Sequence, residues 1–589
     1  MTGFSGEAAL NNQLQSKQLA PTWIAIFLFA SALFTHAENS YVGNQACARC
    51  HASIYNTYMS TPMAHASGPA IENLKPAEFI HAKSGVHYKI YAEDEKVWLS
   101  FERPGDSSIG DPAGNDKRQL LYFIGSGHRG RSYLFEVNDF FFESPVNWYA
   151  DRKVWDMAPA YGDAREIPMN LPAYASCLQC HTSGMQPPLK GTENKYSTPL
   201  FTQNGVGCER CHGPGAAHAT DAARSGTTPK SAMINPLKLP PDRRDSICMQ
   251  CHLEGNVAIE RPGRHAYDFQ PGDLLDDFVR HYVLTTDSSS GLGANSQFEA
   301  LAQSACKKKA GDAMSCMSCH DPHYLPPTEQ RASYYRGKCL ACHTAAFGDN
   351  HHSDRPDCTS CHMPSSLSVD ISHTEVTDHR IQRRPQLSPQ LLQDSSRHSS
   401  PANSSPQLIP FPYSKGADDD VRSRALAWQS LATNGSREAA AQADRWLHQA
   451  ATQFPNDPTI LSGLAYVELS HAGSDQAAVA RARDLYRKAL ALDPTLIDAA
   501  ANLGVIEARN GNLKRAIELW EGAFDRAPAD SSIGMNLART FCESGKIGEA
   551  RSVLQRVLRF NPDLSPAKKL MQDLNADPPG CGEEDLKHH

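Results

Sequence analysis

Long apolar runs are what this chain of 589 residues most lacks. The one such stretch, Trp23 to Phe34 (WIAIFLFASALF), spans 12 residues. A membrane-crossing helix needs about 20, so a bundle of membrane spans is excluded. Lysine- or arginine-rich runs are missing too. With 57 Lys+Arg against 65 Asp+Glu the formal charge is −8, which argues against a nucleic-acid-binding face. Cysteine is not abundant either: 17 residues fall well short of a small disulfide scaffold. Charged residues at 21 % and hydrophobic ones at 40 % describe a folded chain, long enough for several domains.

What the chain has instead is spacing. Fourteen of the 17 cysteines fall into seven Cys-x-x-Cys-His motifs. They are Cys47–Cys50–His51, Cys177–Cys180–His181, Cys208–Cys211–His212, Cys248–Cys251–His252, Cys316–Cys319–His320, Cys339–Cys342–His343 and Cys358–Cys361–His362. This is the attachment site of haem c. Two thiols three residues apart reach the two vinyl groups of one porphyrin and form thioethers. The adjacent histidine then lies under the iron as an axial ligand. A zinc ribbon needs no histidine directly after each pair, and thioredoxin-like motifs occur singly. Seven covalent haems are therefore expected. Of the leftover cysteines, Cys306 reads as a buried or paired thiol. Cys542 reads as a small buried hydrophobe in a helix, and Cys581 lies in a polar tail.

Twelve further histidines lie among residues 41–382, a surplus that bis-histidine coordination would explain. His218 follows the third motif (CHGPGAAH) and His323 the fifth (CHDPH). Both are too close to reach over their own haem but can serve a neighbour. His373 and His379 follow the last motif in ISHTEVTDHRI. His65, with Met63 as a rival sulfur ligand, is a further distal candidate. His128, His281, His351 and His352 follow these, while His81, His87 and His265 read as ordinary polar residues. No residue reads as catalytic, and whether the chain is an enzyme stays open.

Organisation follows from pattern changes. Residues 1–37 read as a secretory signal peptide, with Lys17 before the apolar run and small residues before a cleavage point after Ala37. Once cleaved, it leaves no stable membrane span, and the protein is periplasmic or otherwise extracytoplasmic. Residues 38–382 form the expected heptahaem domain, loop-rich and α+β, with porphyrins supplying its core. Alternating strands at about 78–160 mark a small β module inside it. Residues 383–416 are rich in Pro and Ser and read as a linker. Beyond it Pro494, Pro528 and Pro562 recur every 34 residues, as do Leu503 and Leu537. This is the tetratricopeptide pattern. About four repeats over 417–577 predict an all-α superhelix with a concave face for a protein partner. Residues 578–589 are a polar tail.

With the motifs and repeats in view, the chain resembles secreted bacterial multihaem c-type cytochromes carrying tetratricopeptide repeats. The cytochrome part is similar to the family related to the tetrahaem electron carrier of nitrifying bacteria. YVGNQACARCH, VGCERCHGPGAAH, SCMSCHDPH and TDHRI carry the likeness, which spans 41–382 and, for the repeats, about 424–576. It implies electron transfer through packed, largely bis-histidine haems, and supports His218, His323 and His379 as ligands. Seven motifs against four in that carrier leave the pairing scheme open. The first functional reading is an electron conduit between a redox partner protein and a second partner held by the repeats. The alternative is an oxidoreductase acting on a small inorganic nitrogen or sulfur compound. A third is a scaffold whose repeats dominate.

Overall fold

The computed structural model describes residues 40–103, 116–225, 233–284, 291–343, 357–383, 407–412, 420–433, 436–473 and 475–581. Residues 1–37, read as a signal peptide, and His351 and His352 lie outside them. Among the described residues no helix is long and apolar enough to cross a membrane.

Nine antiparallel strands form the β module: β1 (Ser67–Pro69), β2 (Ala77–Ile80), β3 (His87–Glu93), β4 (Lys96–Glu102), β5 (Lys117–Ile124), β6 (Gly130–Val137), β7 (Phe140–Glu143), β8 (Val146–Tyr149) and β9 (Val154–Met157). The main order is β2-β3-β4-β5-β6-β8-β9, with β1 on β5 and β7 on β6. The sheet thus starts earlier than the alternation at 78 indicates. Period-two patterning sets its register. Tyr88 faces Phe101, Ile90 faces Leu99 and Ala92 faces Val97 across β3 and β4, and all but Ala92 are buried. Asp94 and Glu95 turn the hairpin with φ of 49° and 61°, the two positive angles that a two-residue turn of this hand requires.

From Cys177 to His362 the chain runs as short helices and small two- or three-stranded sheets. β10 (Thr182–Met185) pairs with β11 (Phe201–Asn204), and β14 (Ser365–Leu367) with β15 (Glu375–Thr377). β12 (Val257–Glu260), β13 (Val279–Leu284) and β16 (Leu408–Phe411) form a third sheet. That last strand corrects the reading of 383–416 as linker throughout. Residues 408–411 are sheet, with Ile409 opposite Val283 and Leu408 opposite Leu284. Pro410 suits the edge position that β16 occupies, and Leu408 is buried.

The C-terminal part is helical: α1 (Val421–Thr433), α2 (Arg437–Gln453), α3 (Pro458–Ala472), α4 (Gln476–Leu492), α5 (Ile497–Arg509), α6 (Leu513–Arg526), α7 (Ser531–Glu543), α8 (Ile547–Phe560) and α9 (Ser565–Asn575). Consecutive helices pack as antiparallel pairs. Ala482, Ala516 and Ala550, one per 34-residue period, are fully buried and let paired helices approach. Gly504 has the same purpose: a Cβ there would meet the Trp520 indole at 2.5 Å.

Both ends of the helical array are fixed to the rest of the chain. At one end Phe560 joins the β-module core, its ring 4.9 Å from that of Phe142. Its carbonyl accepts from the Met169 amide at 3.0 Å. Asp563, also buried, accepts from Ile167 N at 2.6 Å and pairs with Arg103 at 2.5 Å. At the other end α1 shares a core with Val257, Tyr282 and Leu408 of the three-stranded sheet, and Arg261 pairs with Asp420. The tail is pinned as well. Cys542 and Cys581 form a disulfide, which corrects the readings of Cys542 as a merely packed thiol and of Cys581 as part of a loose tail.

Candidate functional site

Each motif is shaped by a single helical turn. The amide of the motif histidine donates to the carbonyl of the first cysteine in His51 (2.9 Å), His212 (3.1 Å), His320 (2.9 Å), His343 (3.0 Å) and His362 (3.1 Å). Residues i, i+3 and i+4 share one face of such a turn. Both thiols and the imidazole of a motif therefore face the same side, as attachment to one porphyrin would require. Helices Ala175–His181 and Pro241–His252 carry the second and fourth motifs in the same way.

Among the described residues three motif histidines face a second histidine. The ring centres of His51 and His218 are 6.4 Å apart and the planes differ by 19°. For His212 and His323 the values are 5.9 Å and 8°, and for His320 and His379 they are 6.2 Å and 33°. Two imidazoles on one metal, each nitrogen roughly 2 Å from it as in other first-row sites, have ring centres about 6 Å apart. Each pair thus leaves room for one iron between the rings.

The other ring nitrogen is tied down. Nδ1 of His212 lies 2.8 Å from the Ile234 carbonyl, that of His362 2.6 Å from Gln382 O, and that of His379 2.9 Å from Thr377 O. Nδ1 of His252 meets Gln297 Oε1 at 3.1 Å, and the Tyr335 hydroxyl is 3.3 Å from His320 Nδ1. A proton held at Nδ1 leaves Nε2 as the lone-pair donor and fixes the ring's orientation. Burial also favours the neutral, ligating form. It pushes the pKa of His181 and of His320 down to about 4 and lowers those of His252 and His379. The β module reaches the second motif through Glu143. Its carboxylate accepts from Cys177 Sγ at 3.4 Å, and burial raises its pKa.

His65 and His373 are engaged elsewhere. His65 Nε2 lies 2.7 Å from the Met59 carbonyl. His373 Nε2 lies 2.7 Å from Asp156 Oδ2, and its ring packs edge-on against Tyr149. Among the described residues neither ring stacks on a motif histidine. His81 bonds to Ser84 at 2.9 Å, while His87 and His265 pair with Glu102 and Glu260. His281 is buried in the three-stranded sheet.

Thiols of different motifs lie near one another. Cys47 and Cys208, Cys180 and Cys251, Cys248 and Cys316, and Cys339 and Cys358 are close enough to perturb each other's ionisation. Cys211 lies near Cys248 and Cys251, and Cys319 near Cys339 and Cys342. Ordered by this proximity the motifs run first, third, fourth, fifth, sixth, seventh, with the second beside the fourth. The free thiol of Cys306 sits near Cys319 and Cys339.

Residues inside the motifs cross-link them. Glu209 and Arg210, the two residues between Cys208 and Cys211, hydrogen-bond to other motifs or to the segments leading into them. The sequence reading passed over them. Their only signal was a charged pair between two haem-attachment cysteines.

Residues 156–213 match the protein family described as cytochrome c554 and c-prime. That cytochrome match, which takes in the second and third motifs, implies covalently bound haem c. Residues 507–574 match a tetratricopeptide-repeat family, so a mixed α/β cytochrome region precedes helical repeats. No curated protein matches. Among solved structures the outer cell wall cytochrome OcwA is 14 % identical, with 83 % of this chain and 99 % of that chain covered and a TM-score of 0.38. MamA from Desulfovibrio magneticus RS-1 is 20 % identical, covering 27 % of this chain and 86 % of that chain, with a TM-score of 0.23. PilF of Pseudomonas aeruginosa is 22 % identical over 26 % of this chain and 68 % of its own, also with a TM-score of 0.23.

Proposed function

We propose that this chain is an extracytoplasmic electron-transfer protein that carries seven covalent haems c and meets a protein partner through its repeats. The observation that carries the reading is the facing of motif and non-motif histidines at 5.9 to 6.4 Å between ring centres. Bound haem supplies one-electron chemistry. The chain's own residues hold it: the fourteen motif cysteines by thioethers, the seven motif histidines from one side, and His218, His323 and His379 from the other. Proximity between thiols of successive motifs supports a continuous path from the first to the seventh, with the second motif as a branch on the fourth. At the three motifs with a facing histidine neither axial position is left for a substrate, which favours a carrier over a catalyst. The Cys542–Cys581 disulfide supports an oxidising compartment.

Two measurements on the mature protein test this. Intact mass and haemochrome absorbance should both count seven haems per chain, and a lower count overturns that number. Electron paramagnetic resonance should show low-spin signals for the haems on the motifs of His51, His212 and His320, unchanged by nitrite or hydroxylamine. A high-spin signal that shifts with either compound overturns the carrier reading in favour of an oxidoreductase of small nitrogen compounds.

A further inference from the structure

The third motif lies between the first and the fourth, and its two internal residues point in different directions. Glu209 is buried. Its carboxylate accepts from Val42 N at 3.0 Å, Gly43 N at 2.8 Å and Gly215 N at 2.8 Å. It therefore binds the segment leading into the first motif. Asn44 adds to this joint by accepting from Cys208 N at 2.8 Å. Arg210 faces the second and fourth motifs. Its Nη2 donates to the Gln179 carbonyl at 2.9 Å and to Gln250 Oε1 at 2.6 Å. Gln250 Nε2 donates back to the Arg210 carbonyl at 3.3 Å, and the Cys180 thiol donates to Gln250 O at 3.5 Å. The guanidinium also lies close enough to act on the charge of Cys251, Cys180 and Cys211. Arg210, Gln179 and Gln250 hold the same place in their motifs, just before the second cysteine.

We propose that Arg210 is the positioning residue of the branch point, and that its charge raises the reduction potentials of the haems on the second and fourth motifs above that on the first. Electrostatics gives the sign. Reduction lowers the positive charge on the iron, so a nearby guanidinium favours the reduced state and a carboxylate opposes it. Arg210 is always charged and is fixed in direction by two acceptors. Glu209 turns its charge toward the first motif, where it acts on Cys47, as it also does on Cys208 of its own motif. One dipeptide thus slopes the path downhill for electrons moving from the first motif toward the fourth. This inference rests on the multihaem reading above.

The test is a spectroelectrochemical titration of the full haem-loaded chain, with haem content and spin state measured on the same samples. Arg210→Met removes the charge. It should move the midpoints of a subset of haems to more negative potential while the chain keeps its full haem count. Arg210→Lys, which keeps the charge, should restore most of the shift. Gln250→Glu reaches the same end by another route, since it keeps an acceptor for Arg210 but cancels its field, and it too should shift the same subset negative. If Arg210→Met fails to mature, the Gln250→Glu result decides. Unchanged midpoints in a fully loaded variant, or a lysine variant no better than methionine, overturn the proposal. A wild-type chain that lacks haem on these motifs overturns the multihaem reading instead.

Discussion

The repeats and the stretch from 305 to 383 are built on opposite plans. In α5 every residue from Ala499 to Ala508 is buried, and in α7 every residue from Ile533 to Cys542. Helices Ala305–Ala310, Arg331–Leu340 and Thr359–His362, which surround the fifth to seventh motifs, bury none. Val376 of that stretch packs with Leu292 and Ala300 of the preceding segment, where helix Gln297–Gln303 does bury Phe298 and Leu301. A helix with no buried face has no packing to offset its conformational entropy. The repeats carry their core in side chains, whereas on the function proposed above porphyrins would take that place in the cytochrome stretch. That proposal accounts for two kinds of folded region in a chain with only 40 % hydrophobic residues.

The sharpest way to break the comparison is to withhold haem, and it has the largest expected effect. In a chain produced without haem attachment, residues 305–383 should exchange amide hydrogens and be cleaved by protease at the rate of an unfolded segment. Residues 437–575 should stay protected. Hydrogen exchange read by mass spectrometry, with and without haem, checks this. Equal protection of both regions in the haem-free chain would show that side chains alone fold the cytochrome stretch.

Local rules made much of the molecule legible. The haem motifs need only five consecutive residues, and the repeats declare themselves through Pro494, Pro528 and Pro562 at a fixed period. Alternation in HYKIY and KVWLSF is enough to find β3 and β4. Long-range pairing was harder. His218, His323 and His379 stood out as candidates, yet their partners His51, His212 and His320 are set by tertiary packing. His65 and His373 looked equivalent by position but are held by Met59 and Asp156. The strand at 408–411 was masked by the Pro and Ser around it, because its partner β13 lies over a hundred residues earlier and edge pairing tolerates Pro410. The disulfide depends on how the tail folds back on α7, which spacing does not encode. Arg210 and Gln250 sit at positions that the motif leaves unspecified, so only contact reveals their role.

Within the repeats the plan rests on tight side-chain packing, and Trp520 tests it. The indole is fully buried, donates from Nε1 to the Ala501 carbonyl at 2.9 Å and fills the space that Gly504 leaves open. Trp520→Ala should cost about 3–5 kcal/mol, the range for truncating a large core aromatic. Urea unfolding followed by helical circular dichroism would measure it. The haem spectrum should hardly change if the two regions are as distinct as their packing. A loss below about 1 kcal/mol would mean that the repeats, too, take their stability from elsewhere.

A smaller effect probes the seam between the regions. His281 lies on β13, opposite Ala258 and Phe411, in the sheet that supports α1. Burial pushes its pKa down to about 4 from an ordinary 6.5, with Asp276 pulling the other way. An unfolded chain takes up this proton near pH 6.5 but the folded one does not until about pH 4, so the unfolded state binds more protons between these limits. Stability from this group is complete above pH 6.5 and is lost as pH falls toward 4. At pH 5 the loss should be about 2 kcal/mol. His281→Leu removes that dependence, so the difference between variant and wild type should grow by this amount between pH 7 and pH 5. A difference that stays constant would mean that His281 is already protonated in the folded sheet. The seam joining the cytochrome to the repeats would then be no weaker in acid than either region.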